Sequence, residues 1–241
     1  MLHLPVKDSS AVSDAPTRDA ADAFPANAFP VSARNKIKRM HERGSYDKAA
    51  VFRVLDAALL CHVSYVIDGQ PFCTPTLFWR EGEVLYWHGS SASRMLKHLR
   101  EGTPACLTVS HLDGLVLARS AFNHSMNYRS AMVYGRFEPV ADKHAALAAL
   151  MDHLAVGRQA EIRAGNDKEF AATTVMRIAL HEAACKVRTG PPVDDAEDMQ
   201  HPVWTGVLPL VLQRAAPVPD PLNTVAAPAY VQAWAPQGDE P

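Results

Sequence analysis

The chain of 241 residues is 48% apolar and carries a formal net charge of −2. So weak a field gives no reason to expect nucleic acid or an anionic membrane as a partner, and no run of about 18 apolar residues is present to span a bilayer. A soluble globular body acting on a small molecule is what this composition allows.

The opening MLHLPVKDSS reaches charged and polar residues too soon for a signal peptide. Residues 1–30, rich in Ala, Asp, Ser and Pro without periodicity, are expected to form a flexible N-terminal arm. Residues 31–213 form the body, and residues 214–241, with six prolines, a Pro/Ala-rich tail whose Tyr230 and Trp234 are candidates to dock on it. Cys61, Cys73, Cys106 and Cys185 are scattered among apolar residues with no CxxC pair, so they are expected to be buried reduced thiols in a cytoplasmic protein.

In chain order, Asp47 to Leu60 places Ala50, Val51, Val54, Leu55, Ala58 and Leu59 on one face at helical spacing, with Asp47 as N-cap. Cys61–Ile67 and Pro71–Trp79 are β-rich runs around an Asp68-Gly69 turn, and Val84–His88 follows a second turn at Gly82. A short helix from Ser93 to Glu101 stops at Gly102 and Pro104. Then come strands at Ala105–Ser110, Leu115–Ala121 and Tyr128–Pro139, a helix at Ala141–Leu154, and extended pieces at Val175–Ile178, Ala184–Arg188 and Val207–Leu212. Antiparallel strands in meander order with helices at the edges predict an α+β fold around a closed or partly closed β-barrel.

Five features could carry chemistry. Ser90, Ser91 and Ser93 with Arg94 and Lys97 put hydroxyls, helix-start N–H groups and two cations together, which suits a phosphate and equally describes a capped helix with a solvated basic face. Pro75, between Thr74 and Thr76, belongs on an edge or bulge where backbone groups stay free for a flat heterocycle, or is a plain edge proline. His88 ends a strand just before the serine turn, facing either a ligand or a structural hydrogen bond. Arg129 and Ser130 enter a strand within reach of a barrel mouth. Lys186 and Arg188 alternate on one strand face, as a ligand contact or a surface salt-bridge cluster. HxH and HExxH metal patterns, GxSxG, Walker A and GxGxxG are all missing, so a bound cofactor would carry any redox chemistry and no metal site is expected.

Four segments, RNKIKRMHERGSYD, LYWHGSSASRMLKHLR, NYRSAMVYGRFEPV and KVRTGPPVDDAEDMQHPVWTGVLPL, together resemble the pyridoxamine 5′-phosphate oxidase-like flavin-nucleotide-binding proteins, in the nitroimidazole-resistance reductase-like (Nim) branch. The resemblance runs roughly from Arg34 to Leu212. It implies a six-stranded split β-barrel that forms a homodimer with FMN in two grooves at the subunit interface. It places His88, Gly89 and Ser90 at the ribityl and phosphate, and Ser93, Arg94 and Lys97 on the phosphate. Thr74, Pro75 and Thr76 fall beside the isoalloxazine edge, Ser130 at a flavin-contacting position, and Trp204 as an aromatic from the other subunit. Arg129 or Lys186 would then stabilise negative charge on reduced flavin. The Arg/His ending that grips substrate phosphate in the true oxidases is replaced by Leu212-Gln213-Arg214-Ala215-Ala216, which argues against pyridoxine-phosphate oxidase activity. The expected function is an FMN-dependent oxidoreductase passing electrons to a small organic acceptor such as a nitro-aromatic. The alternative is a non-catalytic flavin- or haem-binding carrier or sensor.

Overall fold

The computed structural model describes residues 26–235. Helix α1 (Lys48–Asp56) starts where the Asp47 carboxylate accepts the Ala50 N–H at 2.7 Å, and it buries Val51, Val54 and Leu55. Strands β2 (Leu60–Ile67) and β3 (Gln70–Leu77) join through Asp68-Gly69, whose φ angles of 49° and 75° are both positive, as a two-residue hairpin turn demands. The large sheet is completed by β1 (Gly44–Ser45), β6 (Pro104–Leu117), β7 (Ser125–Arg136), β10 (Ala183–Arg188) and β11 (Gly206–Pro209). Its order is β1-β10-β7-β6-β2-β3, with β11 paired to β6.

A smaller sheet runs β4-β5-β9-β8, from β4 (Trp79–Glu81), β5 (Val84–Ser90), β8 (Glu138–Pro139) and β9 (Thr173–Ala179). Two antiparallel sheets form the split barrel in an α+β setting, with more strands than the six expected because several are two to four residues long. Pro71–Trp79 divides at Phe78 for a packing reason: Phe78 and Trp79 are neighbours, yet both are buried. Successive strand residues point to opposite sides. At the crossing between sheets Phe78 enters the main core, and Trp79 enters a second core under α3 (Lys143–Leu154) with Ala146, Leu150 and Val175. The expected pair Ala105–Ser110 and Leu115–Ala121 is one strand, β6, irregular between Leu112 and Gly114.

Three expectations need correction. Phe29 is 1% exposed, and its N–H bonds the Tyr46 carbonyl at 2.8 Å, so the packed body begins before residue 31. Residues 1–25 of the expected arm lie outside the described residues, as do 236–241 of the tail. Cys73 is exposed and Cys106 half-buried; only Cys61 and Cys185 are buried thiols. In the tail, α5 (Ala229–Gln232) docks through Tyr230, whose hydroxyl donates to Glu161 at 2.6 Å, while Trp234 packs under the Arg214 guanidinium of the tail itself. No helix among the described residues is long and apolar enough to cross a membrane.

Candidate functional site

Strand β5 turns at Ser90 into α2 (Arg94–Leu99). Gly89 lets this helix sit against the strand, because a Cβ there would come within 3.0 Å of Leu96 Cδ1. Ser91 is committed to the scaffold: its N–H bonds the Ala172 carbonyl at 2.8 Å, and its Oγ lies 2.8 Å from Thr174 Oγ1. That ties the turn to α4 (Asp167–Ala172). Ser90 Oγ accepts the Ala92 N–H at 3.3 Å, and Ser93 stands at the helix start without a capping bond from its hydroxyl.

Arg94 and Lys97 make no salt bridge among the described residues. The Arg94 guanidinium lies 4.2 Å from the centre of the Phe72 ring, and Phe72 stacks on Tyr65. Tyr65 in turn places its hydroxyl 3.3 Å from Thr74 Oγ1. The inward side of β3 and the first turn of α2 therefore form one surface, beside a groove of about 370 Å³ lined by Ile67, Ala92, Arg94, Lys97, His98 and Glu101. Two cations free of salt bridges among the described residues, the Ser93 hydroxyl and an aromatic face can hold an anionic group next to a flat ring. β3 is also the end strand of its sheet, so one row of its backbone groups has no partner strand, which is where Pro75 is tolerated.

The structure divides the other expected residues into two further groups. His88 points away from the groove. Leu85 and Trp87 of β5 enter the main core, so alternation sends Tyr86 and His88 to the other side, toward α3. His88 lines a cavity of about 300 Å³ with His144, Leu147, Met151, Ile162 and Phe170. Its Nδ1 is buried without a hydrogen-bond partner, and burial pushes the imidazole pKa down. The His88 side chain is thus turned away from the side of β5 on which it was expected to meet a ligand.

The second group lies on the outer face of the large sheet. Register pairs Pro75 with His62, His62 with Thr108 and Thr108 with Met132, and the same face continues to Ser130 and Lys186. Thr74 instead aligns with Val63, Leu107 and Val133 on the buried face. Within one chain Ser130 and Lys186 therefore cannot share a ligand with Thr74 and Arg94. Lys186 Nζ donates to the Arg39 carbonyl at 2.7 Å. Trp204 is 64% exposed, with its ring over Gly206.

Arg129 is engaged by Asp113 in a two-point pair at 2.8 and 2.9 Å, which holds the Asp113 carboxyl below its usual range. Arg188 is buried and donates to Asn127 Oδ1 and the Pro191 carbonyl, so it is structural rather than a surface cation.

The sequence reading missed Phe72 and the cavity residues His144, Met151 and Phe170. Two signals for them existed. Phe72 lies two residues before Thr74 and so shares its strand face. His144 precedes Leu147 and Ala148 by three and four residues, on the same side of α3.

A family model described as pyridoxamine 5′-phosphate oxidase matches residues 47–187. The solved flavocytochrome Anf3 from Azotobacter vinelandii is 46% identical, with a TM-score of 0.81 over 84% of this chain and 97% of that one. The FAD and haem binding protein from Mycobacterium smegmatis is 39% identical, with a TM-score of 0.77 over 80% of this chain and 97% of that one. A protein from Bacteroides thetaiotaomicron assigned to 5-nitroimidazole antibiotic resistance is 24% identical, covers 60% of this chain and 86% of its own, and at a TM-score of 0.51 supports the fold alone. No protein of curated function matches.

Proposed function

This chain belongs to the pyridoxamine 5′-phosphate oxidase family, and from that premise we infer that it is a flavoprotein oxidoreductase with its cofactor phosphate at the turn between β5 and α2. The observation that carries this reading is the pair of cations Arg94 and Lys97, which line one groove with Glu101 yet make no salt bridge among the described residues, with Arg94 lying over Phe72 of β3. Bound flavin would accept electrons from a reductant and pass them to a small organic acceptor, a nitro-aromatic being one version. The chain's own residues do the holding. Ser93, Arg94 and Lys97 bind the phosphate, Gly89 and Ser90 lend backbone, and Thr74 to Thr76 border the ring along the edge of β3. FMN and FAD share the phosphate that these residues address. FMN is the form implied by the sequence resemblance, while FAD is the form named for the Mycobacterium protein.

The cofactor groove is completed by a second copy of the chain. Ser130 and Lys186 lie on the sheet face opposite Thr74 within one protomer and Trp204 is exposed, and a homodimer can bring one copy's outer face to the other's β3 edge. Arg129 is held by Asp113 and serves there as scaffold. Steady-state turnover tests the enzyme reading. Flavin-loaded protein should pass electrons from NAD(P)H or dithionite to a nitro-aromatic acceptor faster than the same concentration of free flavin; equal rates would leave a carrier or sensor. Haem enters as a second cofactor because both highly similar structures are named for it and because His88 faces an apolar cavity.

A further inference from the structure

We propose that Arg119 and Asp194 are positioning residues for Trp204: with the bare backbone of Gly206 they fix its indole as a rigid plate on which the flavin ring is stacked. The proposal rests on the homodimeric flavoprotein reading above and adds to it the parts that aim the aromatic. Trp79 and Trp87 are buried and Trp234 lies under Arg214, whereas Trp204 is largely exposed although the chain on both sides of it is tied down.

The ties are specific. Asp194 belongs to the connection between β10 and β11, and its side chain is only 2% exposed. Its carboxylate accepts the Arg119 backbone N–H at 2.8 Å and the Arg119 guanidinium at 2.9 Å. The same guanidinium nitrogen donates to Oγ1 of Thr205, the residue next to Trp204, at 3.4 Å. One side chain just beyond β6 thus gathers two separate points of the connection. Burying a carboxylate is costly even when it is paired; what a two-point contact adds over apolar packing is a defined direction.

Gly206 makes the seat. A Cβ there would lie 2.8 Å from Trp204 Cη2 and 2.9 Å from Cζ2, so the indole edge rests on the strand backbone and a side chain at 206 would displace it. Gly206 has no positive φ to accommodate, so the close approach of the ring is what this glycine permits. Two residues further along β11, register sets Leu208 opposite Leu115 and Leu115 opposite Met126. These three exposed apolar side chains lie on the face that also carries Ser130, the face through which the homodimer reading brings in a second copy. An indole already held there can stack on a flat ring without the entropy cost of ordering a free side chain.

The test titrates the full-length protein with FMN and, separately, FAD, reading affinity and the emission of bound flavin, which a stacked indole quenches. Trp204→Ala should weaken binding about threefold to tenfold and raise the emission. Gly206→Ala, which leaves the clamp intact, should do both in part, with the unfolding midpoint of the flavin-free protein unchanged. Asp194→Asn, which removes the charge and keeps an acceptor for the Arg119 N–H, should also do both in part. In a Trp204→Ala background neither change should have a further effect, because each acts through the indole. Either variant with wild-type affinity and emission overturns the proposal, as do losses that add to that of Trp204→Ala. If Asp194→Asn does not fold, Thr205→Val decides instead, since it cuts the guanidinium from the residue beside Trp204. Flavin bound equally well by Trp204→Ala sinks this inference and leaves the flavoprotein reading standing; wild type that takes up neither flavin sinks both.

Discussion

The two faces of β5 do different work. Leu85 and Trp87 point into the main core, where Trp87 meets Phe137 edge-on with ring centres 5.8 Å apart. Tyr86 and His88, alternating with them, point to α3, where Tyr86 stacks on Trp79 and His88 borders a cavity with an unpaired nitrogen. Each face carries a buried nitrogen without a partner, Trp87 Nε1 on one and His88 Nδ1 on the other, but the first face is closed by packing and the second borders a cavity. The strand ends at Ser90, beyond which the chain opens into the turn proposed to hold the cofactor phosphate. Stability should therefore depend on one face and ligand binding on the other face and the turn.

The most damaging change should fall on the packed face. Trp87→Ala is expected to cost about 3–5 kcal/mol in denaturant unfolding, the range for deleting a large buried aromatic. A cost below that of Arg94→Ala on the same scale would erase the contrast between the faces. Next in size is the turn: Arg94→Ala with Lys97→Ala should weaken flavin binding by about 2–4 kcal/mol as two charge-assisted contacts are lost, with the unfolding midpoint of the flavin-free protein unchanged. A titration showing full flavin affinity would remove both cations from the site.

Gly89→Val sits where face and turn meet. Its side chain would crowd Leu96 and push α2 outward, costing about 1–3 kcal/mol of stability, and flavin affinity should fall along with it. Loss of stability alone would mean that the helix position does not matter to the ligand. The smallest effect should come from acid. Asp113 is held below its usual pKa chiefly by the hydrogen bond from Arg129, and Glu182 below its own by the one from Arg34. Carboxylates depressed in the folded state stabilise it above their unfolded pKa, and that contribution is lost as pH falls through the folded value. Unfolding followed from pH 6 to below about 4 should show a loss on the order of 1 kcal/mol, reduced in Asp113→Asn. Asp113 and Arg129 lie on β6 and β7 of the large sheet, and Glu182 sits in the turn before β10 with Arg34 in the segment ahead of β1, so neither face of β5 should respond.

Much of the fold was legible because its signals are local. The Asp68-Gly69 hairpin, the Asp47 cap and the α3 periodicity each follow from a few adjacent residues and appear where expected. The split at Phe78 was not legible, since a run of strand-forming residues does not say when the chain leaves one sheet for another. The buried Arg188 was missed for a related reason. Its acceptors are Asn127 and the carbonyls of Gly190 and Pro191, and the Asn127 contact is distant in sequence.

The sequence by itself determined the family, the order of the elements, and the serine-rich turn with basic side chains between β5 and α2, because turn chemistry, strand propensity and cations at a helix start are properties of short segments. Only the tertiary structure decided which of these residues can meet. Strand alternation turned His88 from the groove to the α3 cavity, register placed Ser130 and Lys186 on the face opposite Thr74, and the Asp113 pair took Arg129 into the scaffold. A side chain's direction depends on which neighbour covers each face of its strand, and those neighbours lie tens of residues away in the chain.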